Sequence, residues 1–316
     1  MAINTKTIKR RIKSIGSTKK ITKAMEMIAA AKMRKAVNAA IDTRTYATLA
    51  WELLVNLSKT QKVQIPLLET RPVEKILMII ITSNRGLCGS FNSNIIKKTA
   101  VQMKDPRAIA KQIIDGEEVL PKTNLSVDVI GIGRKGADFA KKMDYNLTAA
   151  FTNMTDTPNF DDALPIAKMV IDAYEKKMYD KVIIAYTDFK SALVQTARLR
   201  QVLPVSESEL EKTLIELGDL GNAEAPLKTN LIDYLFEPNR TDVLKIILPR
   251  LVESQIYQTM LESSASEHSS RMLAMRSATD AAKEMIDELN LTFNKARQAG
   301  ITQEIAEIAG GAAALE

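Results

Sequence analysis

The sequence predicts an α/β fold in which the two ends of the chain form a long antiparallel coiled coil beside a central α/β domain with a mainly parallel sheet. Three observations predict it. Apolar residues recur at helical spacing near both ends, short β-branched runs alternate with helical patterns between them, and the two ends carry opposite charge.

The first helix is read over 1–60. Ile8, Ile12, Ile15 and then Ile21, Met25, Ile28 stand at spacings of three and four, which marks one helix face. Alanines at 24, 29, 30, 31, 36, 39 and 40 favour the helix and admit a close partner, while Gly16 costs about 1 kcal/mol relative to Ala. The pattern runs on through Leu49, Leu53 and Leu57 and stops before Pro66. A basic, acid-poor start of this kind also resembles a mitochondrial presequence, but the helical pattern continues past Ala40 without a processing site, so it is taken as part of the mature fold.

Between 73 and 205 the period changes. Ile76 to Thr82, Val127 to Gly131 and Lys181 to Thr187 read as buried strands, and Asn94 to Met103, Lys135 to Met143 and Asp161 to Met178 as helices between them. Such alternation gives a Rossmann-like, mainly parallel sheet with helices packed on it. An extended segment from Leu193 to Leu203 ends at Pro204, and 206–240 is a variable connection whose acidic part, Ser206 to Lys228, contains Gly218, Gly221 and Pro226.

The second helix is read over 241–316. Leu244, Ile247, Leu251, Ser254, Gln258, Leu261, Ala265, His268, Met272, Met275, Thr279, Ala282, Ile286, Leu289, Phe293 and Ala296 step by three and four without a slip, the 3.5-residue repeat of a left-handed coiled coil. At 1.5 Å per residue it extends on the order of 100 Å, and a bend is expected at Pro249. Residues 1–35 hold eleven basic side chains against one acid, a net +10, and residues 241–316 hold seven against eleven, a net −4. The two ends are therefore expected to pair.

Composition narrows function. The longest apolar run is far shorter than the roughly 20 residues that span a bilayer, so membrane association is expected only through partners. One cysteine, Cys88, forms no internal disulfide, and one histidine, His268, leaves little for metal sites or histidine catalysis. His268 falls on the seam in a Ser-rich patch, where polar residues fix register. Gly131-Ile-Gly133-Arg-Lys-Gly136 matches the dinucleotide-binding pattern, with Asp156 placed as a ribose-binding acid, and leaves a dinucleotide-binding oxidoreductase as one alternative. Arg134 and Lys135 crowd that turn, and no hydride-transfer residues follow. The loop Arg85 to Asn92 lacks the spacing of a phosphate loop. A basic coiled-coil nucleic-acid-binding protein is the other alternative, though no aromatic residue stands among the N-terminal charges.

Ile21-Thr-Lys-Ala-Met-Glu-Met-Ile-Ala-Ala30 and Ile301-Thr-Gln-Glu-Ile-Ala-Glu-Ile308 with Gly310-Gly311-Ala312 resemble the end motifs of the γ subunits of F-type ATP synthases. Gly86-Leu-Cys-Gly89, Tyr234 to Pro238 and Val252-Glu-Ser-Gln255 are similar too, so the resemblance covers nearly the whole chain. It implies a non-catalytic rotary stalk that couples proton translocation to ATP synthesis or hydrolysis. The implied partners are the α3β3 ring of α and β subunits, the ε subunit and the c-ring of Fo, and no nucleic acid. The implied location is peripheral, on the cytoplasmic face of the bacterial plasma membrane. No cofactor, metal or catalytic residue is implied. The resemblance places contacts with β subunits at Lys23 and Met25 on the first helix and at Arg297, Gln298, Thr302 and Glu304 on the last. Chloroplast relatives carry a cysteine pair that this chain lacks, and the 206–228 stretch matches no pattern of the family.

Overall fold

The computed structural model describes residues 5–58, 65–114, 117–122, 124–205 and 239–313. The acidic connection at 206–228, the segment Tyr234 to Pro238 and the side chains of Leu49, Leu53 and Leu57 lie outside the description. The chain falls into two compact units, Met1–Ala30 with Arg271–Glu316, and Ala31–Ser270. Helix α1 (Thr5–Ser58) and helix α6 (Arg240–Ala313) contribute to both.

The larger unit is built on a five-stranded sheet of β1 (Lys75–Ile81), β4 (Ser126–Ile132), β5 (Asn146–Phe151), β6 (Lys181–Phe189) and β7 (Gln195–Leu203), in the order β5-β4-β1-β6-β7. The first three pairings, β5 with β4, β4 with β1 and β1 with β6, are parallel, and β7 closes the sheet antiparallel to β6. A separate hairpin joins β2 (Gln112–Ile114) to β3 (Glu117–Val119). The helices between strands are α2 (Phe91–Lys104), the single turn α3 (Arg107–Ala110), α4 (Arg134–Lys142) and α5 (Phe160–Glu175). The three strands expected from β-branched runs are present, as is the extended segment ending at Leu203. Strand β5 and the β2–β3 hairpin had no counterpart in the sequence reading.

Burial on both faces explains the continuous apolar run of β1. Ile76, Met78 and Ile80 point to a core with Ile95 and Met103 of α2 and Ala140 of α4. Leu77, Ile79 and Ile81 point to a larger core with Ile166, Ala167 and Val170 of α5 and with Leu248, Leu251, Val252 and Ile256 of α6. A parallel sheet needs both faces covered, and α6 supplies part of the second cover.

Within this same unit, Lys32 of α1 reaches the loop that His268 of α6 holds, while Val37, Ala40 and Ile41 share a small cavity with Glu262 and Ala265. Residue numbers rise along α1 as they fall along α6, so the two helices run antiparallel. Helix α6 continues through Pro249, which frees the carbonyl of Lys245; that residue is exposed, so water can take the bond.

The smaller unit pairs the start of α1 with the end of α6. On α6 the positions that the 3.5-residue repeat defines, Met272, Met275, Thr279, Ala282, Ile286, Leu289, Phe293 and Ala296, are all half-buried or buried, and after Thr279 no other position up to Gly310 is. On α1 the expected stripe needs correction after Ile15. Thr22 and Ala29 are buried, whereas Ile21 and Ile28 are 60% and 55% exposed. The step from Ile15 to Ile21 breaks the 3.5-residue repeat, and the seam keeps that repeat by using small residues instead of the isoleucines. At its centre Thr22 Oγ1 meets Thr279 Oγ1 at 2.8 Å. Each hydroxyl also lies within reach of a carbonyl on its own helix, Thr22 of Lys19 at 3.1 Å and Thr279 of Met275 at 2.8 Å, so one of these two bonds gives way when the threonine pair forms.

Candidate functional site

The glycine turn between β4 and α4 is a packing joint. Gly133 has φ +89°, and a Cβ there would lie 2.1 Å from the carbonyl oxygen of Thr82, so no other residue fits without moving β1. The amides that open α4 are already taken. Gly136 N donates to Thr82 Oγ1 at 2.7 Å, Arg134 N to Asn84 Oδ1 at 3.0 Å and Lys135 N to the Ser83 carbonyl at 3.3 Å. A pyrophosphate would need those donors. The turn therefore serves to seat α4 on the segment that follows β1.

That segment, residues 82–92, is itself held in place. Asn92 at the start of α2 accepts from Ser83 N at 3.0 Å and donates to Ser83 Oγ at 2.7 Å and Cys88 Sγ at 3.2 Å. Cys88 is buried, and Leu87 stands 61% exposed at φ +62° between Gly86 and Gly89. A crevice opens above the carboxyl ends of the strands, where doubly wound sheets bind ligands. Its walls include Thr82, Arg85, Met154 and Asp156, and α6 lays Met260, Ser263 and Ser264 across it.

The Ser-rich patch of α6 docks on this end of the sheet. Ser263 Oγ accepts from Thr187 N at 3.0 Å, Ser266 Oγ donates to the Thr187 carbonyl at 3.1 Å, and Ser269 Oγ donates to the Ala192 carbonyl at 2.6 Å. Ser264 Oγ and His268 Nε2 both donate to the carbonyl of Asp156, each at 2.9 Å. His268 was expected on a helix–helix seam; it is instead buried against the α/β body. Polar side chains at a coiled-coil register position find backbone partners there that a facing helix would not offer. Asp156, considered above as a ribose ligand, pairs its carboxylate with Lys32 of α1. The hydrogen bond from Lys32 holds that carboxyl below the usual carboxylate range.

The six residues expected to contact a partner fall into two sets. Lys23 is exposed and pairs with Glu26 at 3.0 Å, and Met25 is half-buried, both beside Thr22. Arg297, Gln298, Thr302 and Glu304 are exposed on α6, where Thr302 Oγ1 donates to the Gln298 carbonyl at 3.0 Å. From Thr279 to Arg297 is a rise of about 27 Å, so the structure does not bring the two sets together. Among the described residues there is no metal-binding cluster of His, Cys, Asp and Glu, and no helix long and apolar enough to cross a membrane.

The sequence matches the family model described as ATP synthase over residues 4–315. It is 41% identical to the ATP synthase gamma chain of Dehalococcoides mccartyi strain CBDB1 over 99% of both chains, and 42% identical to that of Heliobacterium modesticaldum over 98% of both. The chain belongs to the ATP synthase gamma chain family. Its fold is similar to a chain of the Euglena gracilis mitochondrial ATP synthase OSCP/F1/c-ring structure, with TM-score 0.62, 18% identity and 98% and 94% of the two chains covered. It is also similar to a chain of the Tetrahymena thermophila central stalk/c-ring structure, with TM-score 0.53, 24% identity and 82% and 99% covered. The gamma chain is the central stalk subunit of the synthase, a subunit of an enzyme complex.

Membership in this family gives a context to exposed apolar residues that sequence reasoning had assigned to the seam or passed over. Ile21, Met27 and Ile28 on α1, and Ile301, Ile305 and Ile308 on α6, are all at least half exposed. The last three lie at i, i+4 and i+7, one stripe of a helix, in a stretch where every residue from Arg297 to Gly310 is exposed. The signal was available in the sequence as apolar residues left over once the 3.5-residue seam is subtracted.

Proposed function

We propose that this chain turns inside the α3β3 ring of F1 as a non-catalytic shaft, coupling proton translocation through the c-ring of Fo to ATP synthesis or hydrolysis on the β subunits, with the ε subunit bound beside it. The observation that carries the reading is the end of α6. Ile301, Ile305 and Ile308 form an apolar stripe without cover beside the exposed polar groups of Arg297, Gln298, Thr302 and Glu304. Such a surface suits a sleeve of partner subunits: apolar side chains slide over one another, while a few polar contacts report the angle. A shaft that presents a different face to each of three β subunits biases their open and closed states, and the coupling is reciprocal.

In this reading Arg297 and Gln298, with Thr302 and Glu304 nearby, meet a loop of β, and Lys23 and Met25 face an acidic loop of β from α1. The same proposal divides the chain into shaft helices over 1–60 and 241–316, an α/β body over 73–205 and a connection over 206–240, and places it peripherally on the cytoplasmic face of the bacterial plasma membrane. The dinucleotide alternative loses its support because the amides that open α4 are engaged by residues 82–84.

The test is co-purification of the full chain with a tagged β subunit and α. Recovery of a complex in which three α and three β accompany one copy of this chain is expected. Recovery of α and β without it would contradict the proposal.

A further inference from the structure

Asp156 is the point at which three elements of the larger unit meet. It lies in the loop of residues 152–159 between β5 and α5, at the carboxyl end of the sheet. Its carboxylate pairs with Lys32 of α1, and its backbone carbonyl accepts from Ser264 and His268 of α6, each at 2.9 Å. One residue of the α/β body thus holds both long helices, one through its side chain and the other through its backbone.

The loop presents Asp156 rigidly. Thr155 Oγ1 lies 2.7 Å from the Thr157 carbonyl and 3.1 Å from Asp162 Oδ2, and Asn159 N donates to the same Asp162 oxygen at 2.9 Å in the capping box of α5. Just beyond, Phe160 meets Tyr257 of α6 edge to face at 5.4 Å. On the α6 side the donors are fixed too, since Ser264 is buried and His268 is 3% exposed. By contrast, the two members of the ion pair retain 36% and 44% of their side-chain exposure, so this is the joint most easily changed without disturbing the core.

We propose that Asp156 is a positioning residue that locks α1 and α6 to the α/β body, so that load applied to the body turns both helices together. The proposal rests on the stalk reading above. Without the lock, α1 shifts relative to the body under load, and part of each ATP-driven step is lost as slip.

The test uses the complete complex in inverted membrane vesicles and measures proton uptake per ATP hydrolysed, after confirming by quantitative immunoblot that each variant chain is assembled. Lys32→Gln and Asp156→Lys are each expected to lower the ratio about two- to five-fold, the range an exposed ion pair supports. The swap Lys32→Asp with Asp156→Lys is expected to restore it, which assigns the effect to the ion pair itself and not to either side chain alone. An unchanged ratio in either single variant, or a swap no better than Asp156→Lys alone, overturns the proposal. If Asp156→Lys does not assemble, Lys32→Gln, at a half-buried position of α1 with 36% of its side chain exposed, decides by its ratio alone. Vesicles in which the native chain is absent from an active complex would refute the stalk reading itself and are thereby distinguished.

Discussion

Residues 251–269 of α6 bury Ser254, Gln258, Ser263, Ser266, His268 and Ser269, while residues 291–310 of the same helix leave Leu291, Ile301, Ile305 and Ile308 mostly in the open. Polarity and burial are thus opposed in both stretches. In the first, Ser263, Ser266, His268 and Ser269 are satisfied by the backbone of the α/β body, with Thr187 bound at both its amide and its carbonyl, whereas Ser254 Oγ and Gln258 Oε1 are buried without a partner. Burial of those four side chains costs little because each exchanges water for a fixed partner. In the second, no described residue of this chain covers the isoleucines, and the described residues alone give no reason for their place. The difference separates a part of the helix determined by its own chain from a part determined by what surrounds it.

Substitution in the first stretch is expected to have the largest effect on stability. Ser263→Ala removes the acceptor of the Thr187 amide, and a buried donor left without a partner costs about 1–3 kcal/mol. Urea denaturation of the purified chain reads this as a lower midpoint, and an unchanged midpoint would show that the polar docking contributes nothing.

Acid provides a smaller probe of the same region. Lys32 holds the Asp156 carboxyl below its usual range, with Arg85 and His268 acting in the same direction. The folded value is therefore below the unfolded one of about 3.9. The stabilisation is complete above the unfolded value and is lost as pH falls through the folded one. Because the side chain is 44% exposed, it amounts to less than about 1 kcal/mol. The native chain should lose its advantage over Asp156→Asn as pH falls below about 4, measured as the difference in urea midpoints; a difference independent of pH would contradict the assignment.

The exposed stretch should respond in the opposite way. Ile305→Ser with Ile308→Ser is expected to leave the stability of the chain within about 0.5 kcal/mol of native, yet to weaken its recovery with α and β subunits. A marked loss of stability in the isolated chain would mean that these residues pack within it, and the comparison would fail.

The sequence made the centre of the fold legible and its margins less so. Strands β1, β4 and β6 are β-branched runs with both faces buried, and no other element type fits them. Strand β5, Asn146 to Phe151, is an edge strand with alternating half-burial and two alanines, so it carries little β signal. The seam of α1 was misdrawn after Ile15 because hydrophobicity was followed where spacing should have been; Thr22 and Ala29 occupy the seam since small side chains let the helices close. On α6 spacing alone gave the right seam from Met272 onward, Thr279 included, whereas His268 left it for the α/β body. The docking of Ser263 and His268 on strand ends depends on tertiary placement that no local pattern encodes. The proposed contact residues Arg297, Gln298, Thr302 and Glu304 came from resemblance, since an exposed surface leaves no internal constraint to read.

The central claim is that the exposed end of α6 transmits force to β subunits. Arg297 offers a planar fork of donors suited to a carboxylate, with the amide of Gln298 beside it. A charge-assisted contact made at only some shaft angles contributes to turnover in proportion to its difference between states. The decisive measurement is ATP turnover per purified complex, normalised to its content of this chain, for Arg297→Ala with Gln298→Ala beside a control at exposed Lys283. The account predicts an assembled complex with turnover reduced about ten-fold and a control like the native one. Native turnover in the double variant would contradict it.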